Sequence, residues 1–242
     1  MGRNGETENR GMGATENGLG VGMRELKRLF IFIGILSATT VFAGNLYCDS
    51  DSDCSYTPFD TAASGVYYPA LLYLSCTGAT RADLDSITPM AESLGMIVAT
   101  CHASRNHRDI GTNDRDIMRT YEKLVRDHPV DPERIFIYGF SGQAVQALAE
   151  LFNHPKYFRG IVSVCGHAGA MPAAKMEELE GKLIYLISKE EDWNLKANQD
   201  IYNQFFTNNI SVKLFVAPGP HAPAAAQDLF SALKWLADNS QK

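Results

Sequence analysis

The sequence is short of positive charge. Its 242 residues carry 22 Lys and Arg against 28 Asp and Glu, a formal net charge of -6. That balance argues against nucleic acid as a partner, because phosphate binding needs a concentrated basic surface. There are five cysteines but no Cys-x-x-Cys pair, so no zinc or thioredoxin-type motif is written in the chain. No phosphate-binding loop ending in Gly-Lys-Ser/Thr and no dinucleotide fingerprint occurs. Internal repeats and low-complexity segments are missing from the region after Tyr68. Membrane-length apolar runs are missing too: Leu29 to Phe42 covers 14 residues, against the ~20 that a spanning helix needs.

What is present begins with an export pattern. Residues 1–22 hold seven glycines and no hydrophobic period, a composition that cannot build a packed element. Met23 is the expected start of translation. Arg24, Lys27 and Arg28 form a basic region, Leu29 to Phe42 an apolar one, and Val41-Phe42-Ala43 a peptidase site. A signal peptide cleaved after Ala43 is expected, with a secreted or periplasmic product and no stable membrane insertion afterwards. Export permits disulfides. Cys48 and Cys54 flank an acidic loop and are the expected pair, whereas Cys101 and Cys165 read as small buried hydrophobes. The alternating carboxylates from Asp49 to Asp53 resemble part of a calcium loop. Cys54 stands where such a loop wants glycine, so a solvated acidic linker is the reading. Residues 44–66 are accordingly expected to be a linker and N-terminal segment, and 67–242 a single domain.

Within that domain, short apolar runs alternate with amphipathic stretches. Strands are expected at Ala70 to Leu74, Met96 to Thr100, Ile135 to Tyr138, Ile161 to Val164, Leu183 to Ile187 and Val212 to Val216. Helices are expected at Ala82 to Leu94 with a bend or break at Pro89, at Asn113 to Asp127, Gln143 to Phe152, Leu195 to Phe206, and Ala225 to Leu236. Strands apolar throughout, alternating with helices, predict an α/β fold: a doubly wound, mostly parallel sheet with helices on both faces. Functional groups in such sheets collect at the carboxyl ends of the strands.

The third of these strands ends in Gly139-Phe140-Ser141-Gly142-Gln143 and runs directly into a helix. A serine on a tight strand-to-helix turn presents its hydroxyl, with helix N–H groups behind it for developing negative charge. Gln143 replaces the last glycine of the full G-x-S-x-G pattern. The architecture then calls for an acid and a histidine after later strands. Asp192 follows the fifth strand and His221 the sixth, so His221 is the expected base and Asp192 the residue that orients it. Glu190 and Glu191 are alternative acids. His102, His107, His128, His154 and His167 are the other histidines; His128 and His154 are expected to be solvated at helix ends. The oxyanion donors are expected to be the N–H of Gly142 and that of Thr77, with Cys76 second to Thr77.

At these residues the chain resembles the α/β-hydrolase superfamily, and within it secreted polyhydroxybutyrate-depolymerase-like and feruloyl-esterase-like carboxylesterases. The resemblance runs from about Tyr56 to Trp235. It is carried by Val130-Asp131-Pro132-Glu133-Arg134-Ile135 leading into the Ser141 turn, by His154-Pro155 and Phe158-Arg159-Gly160, by Asp192-Trp193-Asn194, and by Gly219-Pro220-His221. It implies a Ser141–Asp192–His221 triad, no cofactor and no metal, and hydrolysis of a small-molecule or polymer-end ester. Two positions depart from the pattern: Gln143, where the family has glycine, and Ser75-Cys76, where it has His-Gly. Short intervals between strands predict no lid domain and an open site. The competing expectations are a serine peptidase of prolyl-oligopeptidase type and a non-catalytic binding protein on the same fold.

Overall fold

In the computed structural model, residues 44–50, 52–57, 65–169 and 173–241 are described, all within one unit that spans Val41–Lys242. The expected signal peptide lies outside the described residues. Among them no helix is long and apolar enough to cross a membrane.

Among the described residues eight strands form one sheet: β1 (Asn45–Cys48), β2 (Cys54–Thr57), β3 (Tyr68–Tyr73), β4 (Ile97–Thr100), β5 (Val130–Phe140), β6 (Gly160–Val164), β7 (Leu183–Glu191) and β8 (Ser211–Pro220). Their spatial order is β1-β2-β4-β3-β5-β6-β7-β8. β1 and β2 are antiparallel, and every pairing from β4 to β8 is parallel. The helices are α1 (Arg81–Leu94), α2 (Ile110–Asp127), α3 (Gly142–Asn153), α4 (Leu195–Thr207) and α5 (Ala226–Asn239). A 3-10 helix at Ala173–Leu179 lies between β6 and β7. No lid domain is inserted among the described residues.

The side-chain alternation of the strands builds two cores. Ala70, Leu72, Ile135, Ile137, Ile184 and Leu186 pack on one face with Ile117 of α2, Leu148 of α3 and Phe205 of α4. Leu71, Phe136, Tyr138, Tyr185 and Ile187 pack on the other with Leu84 of α1 and Leu233 of α5. Strands buried on both faces read as unbroken apolar runs for this reason.

Three expectations are corrected. Pro89 neither ends nor breaks α1, which continues to Leu94. α2 starts earlier than the periodicity suggested, because the Asp109 carboxylate caps it by accepting the Thr112 N–H at 2.9 Å. Residues 44–66 are not simply a linker, for β1 and β2 belong to the sheet, joined by the Cys48–Cys54 disulfide. The acidic turn between them is anchored. Asp53 is buried and accepts the His102 N–H at 2.8 Å and the Thr120 hydroxyl at 2.6 Å, and Asp49 pairs with Lys123 at 2.6 Å. The alternating carboxylates looked solvated because their donors come from distant segments.

Candidate active site

Register places the reactive groups. β5, β6 and β7 run level at Phe140, Val164 and Ile187. The residue after β5, Ser141, donates its N–H to Val164 at 2.8 Å, and Cys165 donates to Ile187 at 2.7 Å. β7 and β8 run on together until Glu191 faces Pro220. Asp192 and His221 are each one residue further along. They meet as neighbours at the sheet's carboxyl edge, and His221 reaches back over Ser141. The His221 Nδ1 lies 2.8 Å from Asp192 Oδ1, and its Nε2 lies 2.9 Å from Ser141 Oγ. With Nδ1–H donating to the carboxylate, Nε2 is left to accept the Ser141 hydroxyl.

Ser141 adopts φ 54°, ψ -122°, a conformation that costs a side-chain-bearing residue roughly 1–3 kcal/mol. Its carbonyl accepts the Ala144 N–H at 3.0 Å, which helps to hold the turn. Gly139 is a steric requirement: a Cβ there would fall 2.1 Å from the Gln143 carbonyl oxygen. At Gly142 a Cβ would meet only the end of the Asn106 side chain, 2.5 Å from its Oδ1, and would displace it. Gln143, the departure from the family pattern, is buried. Its Oε1 accepts the Ser104 hydroxyl at 2.7 Å and its Nε2 donates to Asn106 at 3.4 Å. The amide ties the elbow to the segment after β4.

The Asp192 side chain is wholly buried. Burial pushes its carboxyl upward, but the Asn194 N–H, the His221 hydrogen bond and the Cys165 thiol outweigh that and hold it below the usual carboxylate range. Glu190 and Glu191, the alternative acids, are exposed and do not contact His221. Two neighbours were not foreseen as parts of the site. Trp193, 75% exposed, stacks on the imidazole at 3.9 Å between ring centroids. Cys165, read only as a core residue, faces Asp192; burial and that carboxylate push its thiol up to about 12, so it stays a donor. The sole sequence signal for Trp193 was an aromatic residue directly after the acid, and Cys165 had none.

The N–H of Gly142 sits in the first turn of α3, where helix donors lack internal acceptors. The loop after β3 borders it through Cys76, whose Sγ donates to the Phe140 carbonyl at 3.1 Å. Burial raises the Cys76 thiol, opposed by the Gln143 N–H, the Asn106 side chain and the Gly142 N–H. Thr77 is exposed, and no acceptor among the described residues takes its N–H. Cys76 therefore makes the direct contact with the elbow, while Thr77 offers a free donor beside it. The remaining histidines lie outside the relay. His128 and His154 are not merely solvated: His128 bonds Ser55 and Thr57 at 2.9 and 3.0 Å, and His154 bonds Asp114 at 2.7 Å.

A depression of about 320 Å³ opens beside Gly142 and Gln143, lined by Arg105, Asn106, His107, Arg108 and Gln146 among others. Among the described residues no carboxylate lines it.

A serine, histidine and buried carboxylate in hydrogen-bond contact follow β5, β8 and β7 of a sheet with this strand order. Solved structures share the arrangement of the chain. The fluorophosphonate-binding serine hydrolase FphF of Staphylococcus aureus superposes with a TM-score of 0.60 at 13% identity, over 81% of this chain and 97% of its own. The chain has the α/β-hydrolase fold. A ferulic acid esterase gives 0.61 at 11% identity over 82% of this chain and 97% of its own. A puromycin-hydrolysing peptidase of Mycobacterium tuberculosis gives 0.62 at 12%, over 84% of this chain and 40% of its own. No family model and no curated protein matches the sequence.

Proposed function

We propose that this chain is an exported serine esterase that hydrolyses carboxylic esters through an acyl-enzyme on Ser141. The observation that carries the reading is the continuous relay from Ser141 Oγ through His221 to Asp192, at 2.9 and 2.8 Å. In the proposed cycle His221 Nε2 takes the Ser141 proton as Oγ attacks the ester carbonyl, and returns it to the leaving alkoxide. Water, deprotonated by the same nitrogen, then releases the acid and regenerates the hydroxyl. Asp192 stabilises the imidazolium. The N–H of Gly142, with that of Thr77 or Cys76, receives the oxyanion. Export rests on the basic and apolar segments from Met23 to Ala43.

The depression beside Gly142 supports a substrate class. Arg108 is paired with Asp116 at 2.8 Å, but no carboxylate among the described residues pairs with Arg105. An ester bearing a carboxylate or several hydroxyls, small or at a polymer end, suits this cationic and amide-rich wall better than a plain alkyl chain.

The test is labelling of the full chain by a fluorescent fluorophosphonate, beside Ser141→Ala and His221→Ala, followed by matched ester and amide substrates. Labelling lost in both variants with turnover of esters supports the proposal. Turnover of amides at a comparable rate would make the enzyme a peptidase. An unlabelled but folded parent would leave a binding protein on this fold.

A further inference from the structure

At the far end of α3 from Ser141, a second cluster of chemically active side chains comes together. Glu150 and His154 lie one turn apart on one face of the helix, and Asp114 of α2 faces them. His154 Nε2 is 2.7 Å from Asp114 Oδ1 and 3.7 Å from Glu150 Oε2. One donor atom from each of the three residues lies within 4.8 Å of the others. Glu150 is wholly buried, and while its Oε1 accepts the Gln146 amide at 2.6 Å, its Oε2 has no hydrogen-bond partner among the described residues. A buried carboxylate oxygen beside an imidazole and a second carboxylate, with no hydrogen bond from the described residues, is a place where a further partner is expected.

We infer that Asp114 Oδ1, Glu150 Oε2 and His154 Nε2 form a binding site for one first-row divalent cation of the zinc class. One imidazole and two carboxylates are ligands that zinc takes, with water in the fourth position, whereas calcium prefers an all-oxygen set. Bond lengths of about 2.0–2.2 Å put neighbouring tetrahedral ligands about 3.3–3.6 Å apart, and the two measured separations fall on either side of that. Two carboxylates and the negative end of α3 balance a double positive charge. The Asp114 and His154 side chains are about a quarter exposed, at 26% and 25%, which leaves a path for the ion. Without the ion, burial first and Asp114 next push the Glu150 carboxyl up to about 8, against the Gln146 amide, so a proton holds the place. At 1.5 Å rise per residue Glu150 and His154 stand about 13 and 20 Å along α3 from the elbow. The ion would tie α2 to the helix that carries the nucleophile and take no part in the ester chemistry.

The sequence offered no zinc motif because the site contains no cysteine and its third ligand is 40 residues from His154. The test is isothermal titration of the EDTA-stripped full chain with zinc chloride, beside Glu150→Gln and His154→Asn. One zinc per chain is expected, with affinity falling tenfold or more in each variant. Saturating zinc should raise the parent's Tm by about 5 °C and leave that of Glu150→Gln unmoved. If Glu150→Gln does not fold, Asp114→Asn, at a partly exposed helix position, carries the same test. Failure of the parent to bind zinc below 100 µM free metal, roughly the affinity at which such a site would matter, overturns the inference and leaves Glu150 a protonated core residue. Binding unchanged by both substitutions also overturns it and moves the ion to Cys165, Asp192 and His221, the other cluster with suitable donors among the described residues.

Discussion

Replacing Asp192 by asparagine separates orientation of the base from its presence. Four donors converge on the carboxylate: His221 Nδ1, the Asn194 N–H, the Ser188 hydroxyl and the Cys165 thiol. An amide keeps one acceptor oxygen and turns two N–H groups toward this set of donors. The cheapest escape is for the imidazole to move its proton to Nε2, so that Nδ1 accepts from the amide. His221 then has no lone pair for Ser141. The wrong tautomer costs on the order of 10⁴ in rate, or about 5.4 kcal/mol of barrier. Stability should fall much less, by about 1–3 kcal/mol for a buried donor left unpaired, which is a Tm lower by a few degrees. The assay is kcat/KM on an activated ester together with the rate of fluorophosphonate labelling, with circular dichroism as the check on folding. A folded Asp192→Asn that keeps more than a tenth of the parent's rate would refute the argument, and Glu190 and Glu191 would then be tested. The acid side supplies a second reading. The folded-state pKa of Asp192 is depressed, so the stability it contributes is present above its unfolded value of 3.8 and is lost as pH falls through the lower folded value. Asp192→Asn should lack that component of acid unfolding.

Three further outcomes follow from the same geometry. Trp193→Ala removes the exposed ring stacked on His221 and should lower kcat/KM about 3- to 10-fold, the scale of one lost stacking contact, with Tm essentially unchanged; a large fall in Tm would show that the ring is structural. Gly139→Ala places a methyl 2.1 Å from the Gln143 carbonyl and should abolish labelling and cost about 3 kcal/mol or more through strain at the elbow; a labelled, equally stable variant would contradict the steric account. His128 is held below its usual pKa, chiefly by burial and against the Asp127 charge, so the unfolded chain binds the extra proton first. Stability should fall as pH drops below the unfolded value of 6.5, seen as a lower urea midpoint at pH 5.5 than at 7.5, and His128→Gln should flatten that difference.

Some of this architecture was legible along the chain. The six parallel strands announced themselves because burial on both faces makes each of them apolar without interruption, as in Ala70-Leu71-Leu72. Ser141 was legible because its elbow needs glycine at 139, where a Cβ would meet the Gln143 carbonyl four residues on, and local requirements leave local marks. Chain order pointed to His221 and to an acid among Glu190, Glu191 and Asp192, the family resemblance favoured Asp192, and closeness in sequence singled out the Cys48–Cys54 bridge.

Tertiary structure decided the rest. The β1–β2 hairpin is too short and too acidic to declare itself, and it is anchored by His102, Thr120 and Lys123. Only the β7–β8 register, ending with Glu191 opposite Pro220, makes Asp192 and His221 neighbours and leaves Glu190 and Glu191 in solvent. The stacking of Trp193, the thiol of Cys165 against Asp192 and the convergence of Asp114 on Glu150 and His154 join residues from separate elements. Backbone demands act over a few residues and are written in sequence; contacts between elements depend on how the sheet is ordered and twisted, and no short window of residues records them.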